Sequence, residues 1–154
     1  MKTLCVDAST THVGLALFHG IVPVATSTLE FKGTYDLTKL RCIVDEFESY
    51  VSDKADIDLI IIEQPIAMLR NSATVSSLGQ VAGALAAIGF MYKCKVEYVH
   101  PMKVRKCMGT KCKEDTIKKA KKLFGLKVGE HGADALMLYP TYQKIKVNNL
   151  KEQK

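Results

Sequence analysis

The chain has 154 residues, enough for one domain with a substantial core, and its 47% apolar and 25% charged content excludes a disordered chain. Its 22 basic and 16 acidic residues give a net charge of +6, which suits a polyanionic partner without requiring one. No apolar run reaches the roughly 20 residues of a membrane span, the longest candidate being Val81 to Tyr92; the N-terminus runs straight into a strand, so no signal or transit peptide is expected.

Thr3 to Asp7 reads as the first strand. The polar turn Ala8-Ser9-Thr10-Thr11 leads to a second, about Val13 to Phe18, and His19-Gly20 makes a tight connection to a third, about Ile21 to Phe31. Pro23 interrupts the third strand and suits an edge, because proline cannot donate to a ladder. Gly14 within the second strand signals a close backbone approach or a bulge. The period then changes. Leu37, Leu40, Val44, Phe47 and Val51 recur at three- and four-residue steps and predict an amphipathic helix. Leu59-Ile60-Ile61-Ile62-Glu63 is β-branched without polar alternation, as in a strand buried on both faces.

Gln64-Pro65 breaks that strand, and a loop through Arg70-Asn71-Ser72 leads to a helix from about Ala73 to Tyr92. The second half of this helix is small or apolar on every side. That fits burial in the chain's own core, a face packed on a second subunit, or both. Lys95 to Val99 is the last strand. A basic loop containing Pro101 and Gly109 follows, then a helix placed by Ile117, Ala120 and Phe124 and stopped by Gly125. Ala135, Leu138 and Tyr142 place a final helix starting near Glu130. From Lys144 onward the chain is polar and lysine-rich and is expected to fray. Residues 1–143 are therefore the expected domain and 144–154 a tail. A meander followed by alternating strands and helices implies an α/β fold with a mixed sheet covered by helices.

Three acidic residues stand where chemistry would use them. Asp7 ends the first strand, Glu63 ends the β-branched strand, and Asp134 lies one helical turn after His131. Ionised groups at the ends of buried strands are costly unless offset, and a divalent cation is the best candidate to offset them. Neighbouring parallel strands would bring Asp7 and Glu63 to one sheet edge, where open α/β sheets bind ligands. His131 and Asp134 share a helix face. Taken alone His131 reads as a surface histidine, but the matching acid three residues on favours a metal ligand or a group that positions water. His12, His19 and His100 have no such support and read as structural.

Nine basic residues, from Lys103 through Arg105, Lys106, Lys111 and Lys113 to Lys122, fall in one short stretch. A solvated helix face explains an isolated run of this kind; beside an acidic centre, phosphate binding gains weight. The five cysteines, Cys5, Cys42, Cys94, Cys107 and Cys112, are odd in number, and Cys107 and Cys112 lack a second close pair to complete a zinc site. They read as reduced thiols in a cytosolic-type compartment.

Four segments together resemble the RuvC family of Holliday-junction resolvases, within the ribonuclease H-like fold. They are Val6-Asp7-Ala8-Ser9 with Gly14; Ile62-Glu63-Gln64-Pro65 running on to Leu78-Gly79-Gln80-Val81-Ala82-Gly83; Pro101-Met102-Lys103-Val104-Arg105-Lys106 with Gly109 and Lys113; and His131-Gly132-Ala133-Asp134-Ala135-Leu136. Each is weak alone, and their order along nearly the whole chain is the signal. The resemblance implies a five-stranded mixed sheet, a three-strand meander plus two parallel strands, and a dimeric, metal-dependent endonuclease that nicks paired strands of a four-way DNA junction. Asp7, Glu63 and Asp134 match the family's catalytic acids. His131 matches a position that is Asp in some members and His in others. Lys113 matches a lysine near the scissile phosphate, although Lys111 is an alternative for that place. Ala8-Ser9 stands where the family often has Pro-Gly, and Ile66 where some members carry an aromatic. With a basic loop that looks short, these departures make the chain more similar to viral or phage versions, whose branch choice can be broader.

Phosphodiester hydrolysis needs an activated water and relief of negative charge, which two Mg²⁺ about 3.5–4 Å apart supply. Asp7, on the central strand, is best placed to bridge both ions, with Glu63 and Asp134 completing one shell each; Mn²⁺ is an expected substitute. Lys113 would offset charge on the phosphate, with a solvated lysine as the equal alternative. Lys103, Arg105, Lys106 and Lys111 would grip the DNA backbone. Arg70 and Asn71 would touch DNA near the branch, with a plain loop as the equal alternative. No nucleotide-phosphate loop is found, so no nucleotide cofactor is expected, nor a membrane. The expected setting is the cytoplasm of a bacterial cell or a phage-infected host. The alternatives are a nuclease of the same fold acting on other branched DNA or structured RNA, and a branched-DNA binder without turnover.

Overall fold

The chain begins with three antiparallel strands, β1 (Lys2–Ala8), β2 (His12–His19) and β3 (Val22–Glu30). Helix α1 (Leu37–Asp53) then crosses to β4 (Leu59–Glu63), and α2 (Ser72–Met91) crosses to β5 (Lys95–Val99). Three helices close the chain, α3 (Pro101–Met108), α4 (Lys113–Phe124) and α5 (Glu130–Glu152). The structure, a computed structural model, describes residues 1–54, 56–66 and 72–152. The strand order is β3-β2-β1-β4-β5, with β4 parallel to both β1 and β5, which is the expected mixed five-stranded sheet.

Successive side chains of a strand face opposite sides of the sheet. Leu4, Val6, Leu15, Ile60 and Ile62 therefore pack on one side, with Ile43, Phe47 and Val51 of α1 and Val81 and Leu85 of α2. Cys5, Ala16, Phe18, Leu59 and Ile61 pack on the other, with Val104 of α3, Ala120 of α4 and Leu136 of α5. Phe18 fixes this second layer by stacking on Tyr139 and meeting Phe124 edge-on. β4 is buried on both faces, as its unbroken aliphatic run predicts.

Pro23 lies on the edge strand, as expected. The bulge falls between Leu17 and Phe18 of β2, where the register on β3 skips Val24, and not at Gly14. Gly14 instead marks a close approach: a Cβ there would sit 2.6 Å from the His131 carbonyl carbon, and backbone cannot give way as a side-chain end can.

Four sequence expectations need correction. The segment after Pro101 is helix, not loop. His100 caps it by accepting from the Met102 N–H, Pro101 starts it, and Gly109 ends it in the left-handed region at φ 66°. The polar run after Lys144 continues α5 to Glu152 instead of fraying, held by Lys144 Nζ on the Cys107 carbonyl and Lys146 on Glu97. Leu37 is 77% exposed, while Ile43 and Phe47 are fully buried, so the apolar stripe of α1 runs through Lys39, Ile43, Phe47 and Val51. Lys39 lies there because its stem is apolar and its ammonium reaches the Gly33 carbonyl at 2.7 Å. Finally, α2 has 20 residues and by length and composition alone is apolar enough to cross a membrane. Gly, Ala and Ser supply that length without breaking the helix, and it buries Val81, Ala82, Leu85, Ala86, Ile88 and Gly89 within the protein.

Two aliphatic positions of α1, Ile43 and Leu37, should separate cleanly in stability. Ile43→Ala is expected to cost about 2–5 kcal/mol, and Leu37→Ala less than about 0.5 kcal/mol, both read from urea unfolding.

Candidate active site

Strand parity places the acidic residues. Asp7 follows Thr3 and Cys5 on one face of β1, and Glu63 follows Leu59 and Ile61 on the same face of β4, the face covered by α3, α4 and α5. The two strands are parallel neighbours, with Val6 opposite Ile62, so both carboxylates emerge at adjacent carboxyl ends. The first turns of α5 lie over this corner, admitted by Gly14, which pairs with Asp7 across β1 and β2. They deliver His131, whose Nδ1 is 2.9 Å from Asp7 Oδ2, and Asp134. A carboxylate can only accept, so the Nδ1–H donates.

Asp7, Glu63 and Asp134 line one cleft of about 160 Å³ together with residues from the α3 and α4 termini, among them Arg105, Thr110, Lys111, Cys112, Lys113 and Thr116. Burial, then the nearby Asp7 and Asp134, pushes the Glu63 carboxyl up to about 8, with Arg105 opposing. Burial, then Asp7 and Glu130, raises Asp134 to about 6, with His131 and Lys113 opposing. The hydrogen bond to Asp7 raises His131 above its ordinary value against the effect of burial. Lys113 is raised chiefly by its ion pair with Glu130, and Asp134 and Asp7 add to it.

These shifts come first from burial and then from carboxylates crowded into one corner. Its donors are hard oxygens, the chemistry that suits a divalent cation such as Mg²⁺. Among the described residues, no three His, Cys, Asp or Glu side chains stand in ligating geometry around one point. Asp7, Glu63 and Asp134 nonetheless share one cleft.

Of the residues singled out from sequence, Asp7, Glu63, Asp134, Arg105, Lys111 and Lys113 share the cleft, and His131 touches Asp7. Lys103 and Lys106 are exposed on α3 outside its lining. Arg70 and Asn71 lie outside the described residues. Two partners were not legible in sequence. Glu130 holds Lys113, and His12 stacks on His131. The alternation of β2, which puts His12 on the face of Gly14, was the available signal for the second.

No protein-family model matches the chain, and no curated protein matches it. Solved structures do. The chain is similar to Thermus thermophilus RuvC in complex with a Holliday junction substrate, at 18% identity and TM-score 0.77, covering 94% of this chain and 96% of that one. It is similar to the yeast mitochondrial Holliday junction resolvase at 8% identity and TM-score 0.64, covering 91% and 78%. For the fowlpox virus Holliday junction resolvase the values are 15% identity, TM-score 0.50, and 94% and 99%. The fold is therefore the RuvC-type, ribonuclease H-like one expected from the sequence.

A carboxyl whose pKa is raised on folding binds protons that the unfolded chain has released. Without metal, stability therefore falls as pH rises from 4.5 through about 8 for Glu63, and from 3.8 through about 6 for Asp134. Glu63→Gln removes the larger effect. In EDTA it is expected to be more stable than the parent by roughly 1–3 kcal/mol near pH 8, with the difference closing near pH 4. Urea unfolding at the two pH values measures it.

Proposed function

We propose that this chain is a metal-dependent, structure-selective DNA endonuclease that resolves four-way junctions by paired nicking. One observation carries the reading: Asp7, Glu63 and Asp134, from three distant segments, meet in one cleft that Arg105, Lys111 and Lys113 also line. Repelling carboxylates beside basic groups suit a cation shared with a phosphate. The fold shared with junction resolvases supports the substrate, although fold alone does not fix function.

Asp7, Glu63 and Asp134 would hold Mg²⁺, or Mn²⁺ in its place. Such ions would supply an activated water and relieve charge on the leaving oxygen. The chain's own groups do the rest. His131 orients Asp7 through the Nδ1 contact and keeps Nε2 for water or metal. Lys113, steered by Glu130, offsets charge on the reacting phosphate. Its ammonium feels Asp134 and Asp7, which favours it over Lys111 for this place. Arg105, with Lys103 and Lys106 on the same helix, would hold the DNA backbone without reading bases. Such a protein would work in the cytoplasm and needs no nucleotide cofactor.

Asp7→Asn is expected to lower the cutting rate on the order of 10³-fold or more while sparing junction binding. Cleavage of a four-way junction, a flap, a duplex and a structured RNA, each with Mg²⁺, Mn²⁺ or EDTA, tests substrate and metal together. Normal cutting by the Asn variant, or cutting in EDTA, removes the metal assignment. Preference for the RNA or the flap removes the junction.

A junction presents two symmetry-related strands, which a two-fold dimer meets with two equivalent sites. The outward side of α2 suits this contact: Gly79, Gly83, Ala87 and Phe90 are exposed at three- and four-residue steps. Light scattering is expected to give twice the 17.0 kDa chain mass. A lone 17.0 kDa species, even with DNA, would rule out paired nicking.

A further inference from the structure

We propose that His12 is a positioning residue for the reaction above, its ring setting the plane of the His131 imidazole against Asp7. The proposal rests on the endonuclease reading. The two rings lie flat on each other, with centroids 4.4 Å apart and planes 14° apart. His12 is itself held from behind. Its Nδ1 is 3.0 Å from Thr11 Oγ1, its backbone N–H donates to Ser9 Oγ at 2.9 Å, and its carbonyl accepts from the Ser9 hydroxyl at 2.8 Å. The Ser9 backbone N–H donates to that same carbonyl at 2.9 Å.

His12 and Gly14 stand two residues apart on one face of β2. Gly14 admits the His131 backbone, and His12 covers the His131 ring. β2 is thus a two-part seat for one histidine. A hydrogen bond fixes which ring nitrogen meets Asp7 but leaves the ring free to swing about that contact. A flat stack removes the swing. With both in place, His131 Nε2 and the second Asp7 oxygen take fixed directions, as a reacting centre requires.

The test uses the full chain with His12→Ala, His12→Gln and His12→Phe. Thermal unfolding first establishes that each variant folds; should the Ala variant not fold, Gln and Phe carry the comparison. In metal-free protein, NMR of the parent is expected to show a slowly exchanging His131 ring N–H bonded to Asp7. The Ala and Gln variants should lose it, and Phe, which restores a flat ring, should keep it. In single-turnover cutting of a four-way junction with Mg²⁺, Ala and Gln should be slower by about 10-fold at unchanged junction affinity. Phe should stay within about 3-fold of the parent. Parental ring signals and rates in the Ala variant overturn the proposal, and so does a Gln variant that matches Phe. If the parent cuts no branched DNA, the endonuclease reading falls, while the metal-free ring signals still decide whether His12 positions His131.

Discussion

A methyl group on Gly14 would collide with the His131 carbonyl, so the first turns of α5 can rest on β2 only because that residue has no side chain. Everything at the site depends on this approach. It carries His131 to Asp7 and Asp134 into the cleft that Asp7 and Glu63 already share. A helix displaced outward by the width of one methyl would take the third carboxylate and the only histidine touching Asp7, among the described residues, with it.

The approach carries an electrostatic cost. Glu63 and Asp134 are both driven toward their neutral forms by burial and by one another's neighbours, with Asp7 acting on each. The surrounding packing holds them there. β1 and β4 are buried on both faces, and Phe18 ties β2 to α4 and α5 through Phe124 and Tyr139. On the metal-dependent reading proposed above, a divalent ion held by these carboxylates would relieve the repulsion that weakens the metal-free protein.

Much of this was legible from residues alone. Asp7 and Glu63 each end an apolar run, and period-2 alternation then fixes their common face. Gly14 announced a close approach or a bulge, of which the structure shows the approach, and Gly125 a helix stop at φ 70°. What was not legible depended on tertiary partners. The α3 segment has only Pro101, Val104 and Met108 buried, too few for its period to show against five exposed or half-buried neighbours. The polar end of α5 has no amphipathic pattern strong enough to predict it; Cys107 and Glu97 hold it from outside. Leu37 and Ile43 differ in burial although both are aliphatic, because they lie on different faces of α1, whose buried stripe runs through Lys39, Ile43, Phe47 and Val51. The His12–His131 stack joins residues far apart in sequence, so His12, unlike His131, reads as structural until the two rings are seen together.

The margins of the sheet have a consequence of their own. On the outer side of β3, Pro23 offers no N–H, and the skipped Val24 breaks the regular spacing of the remaining groups. At the opposite margin, β5 carries Lys95, Glu97 and the Lys146 ammonium in a run of charge. Neither border is a template on which a foreign strand can extend the ladder. Cross-β growth is thereby discouraged in a chain with a strongly β-branched centre.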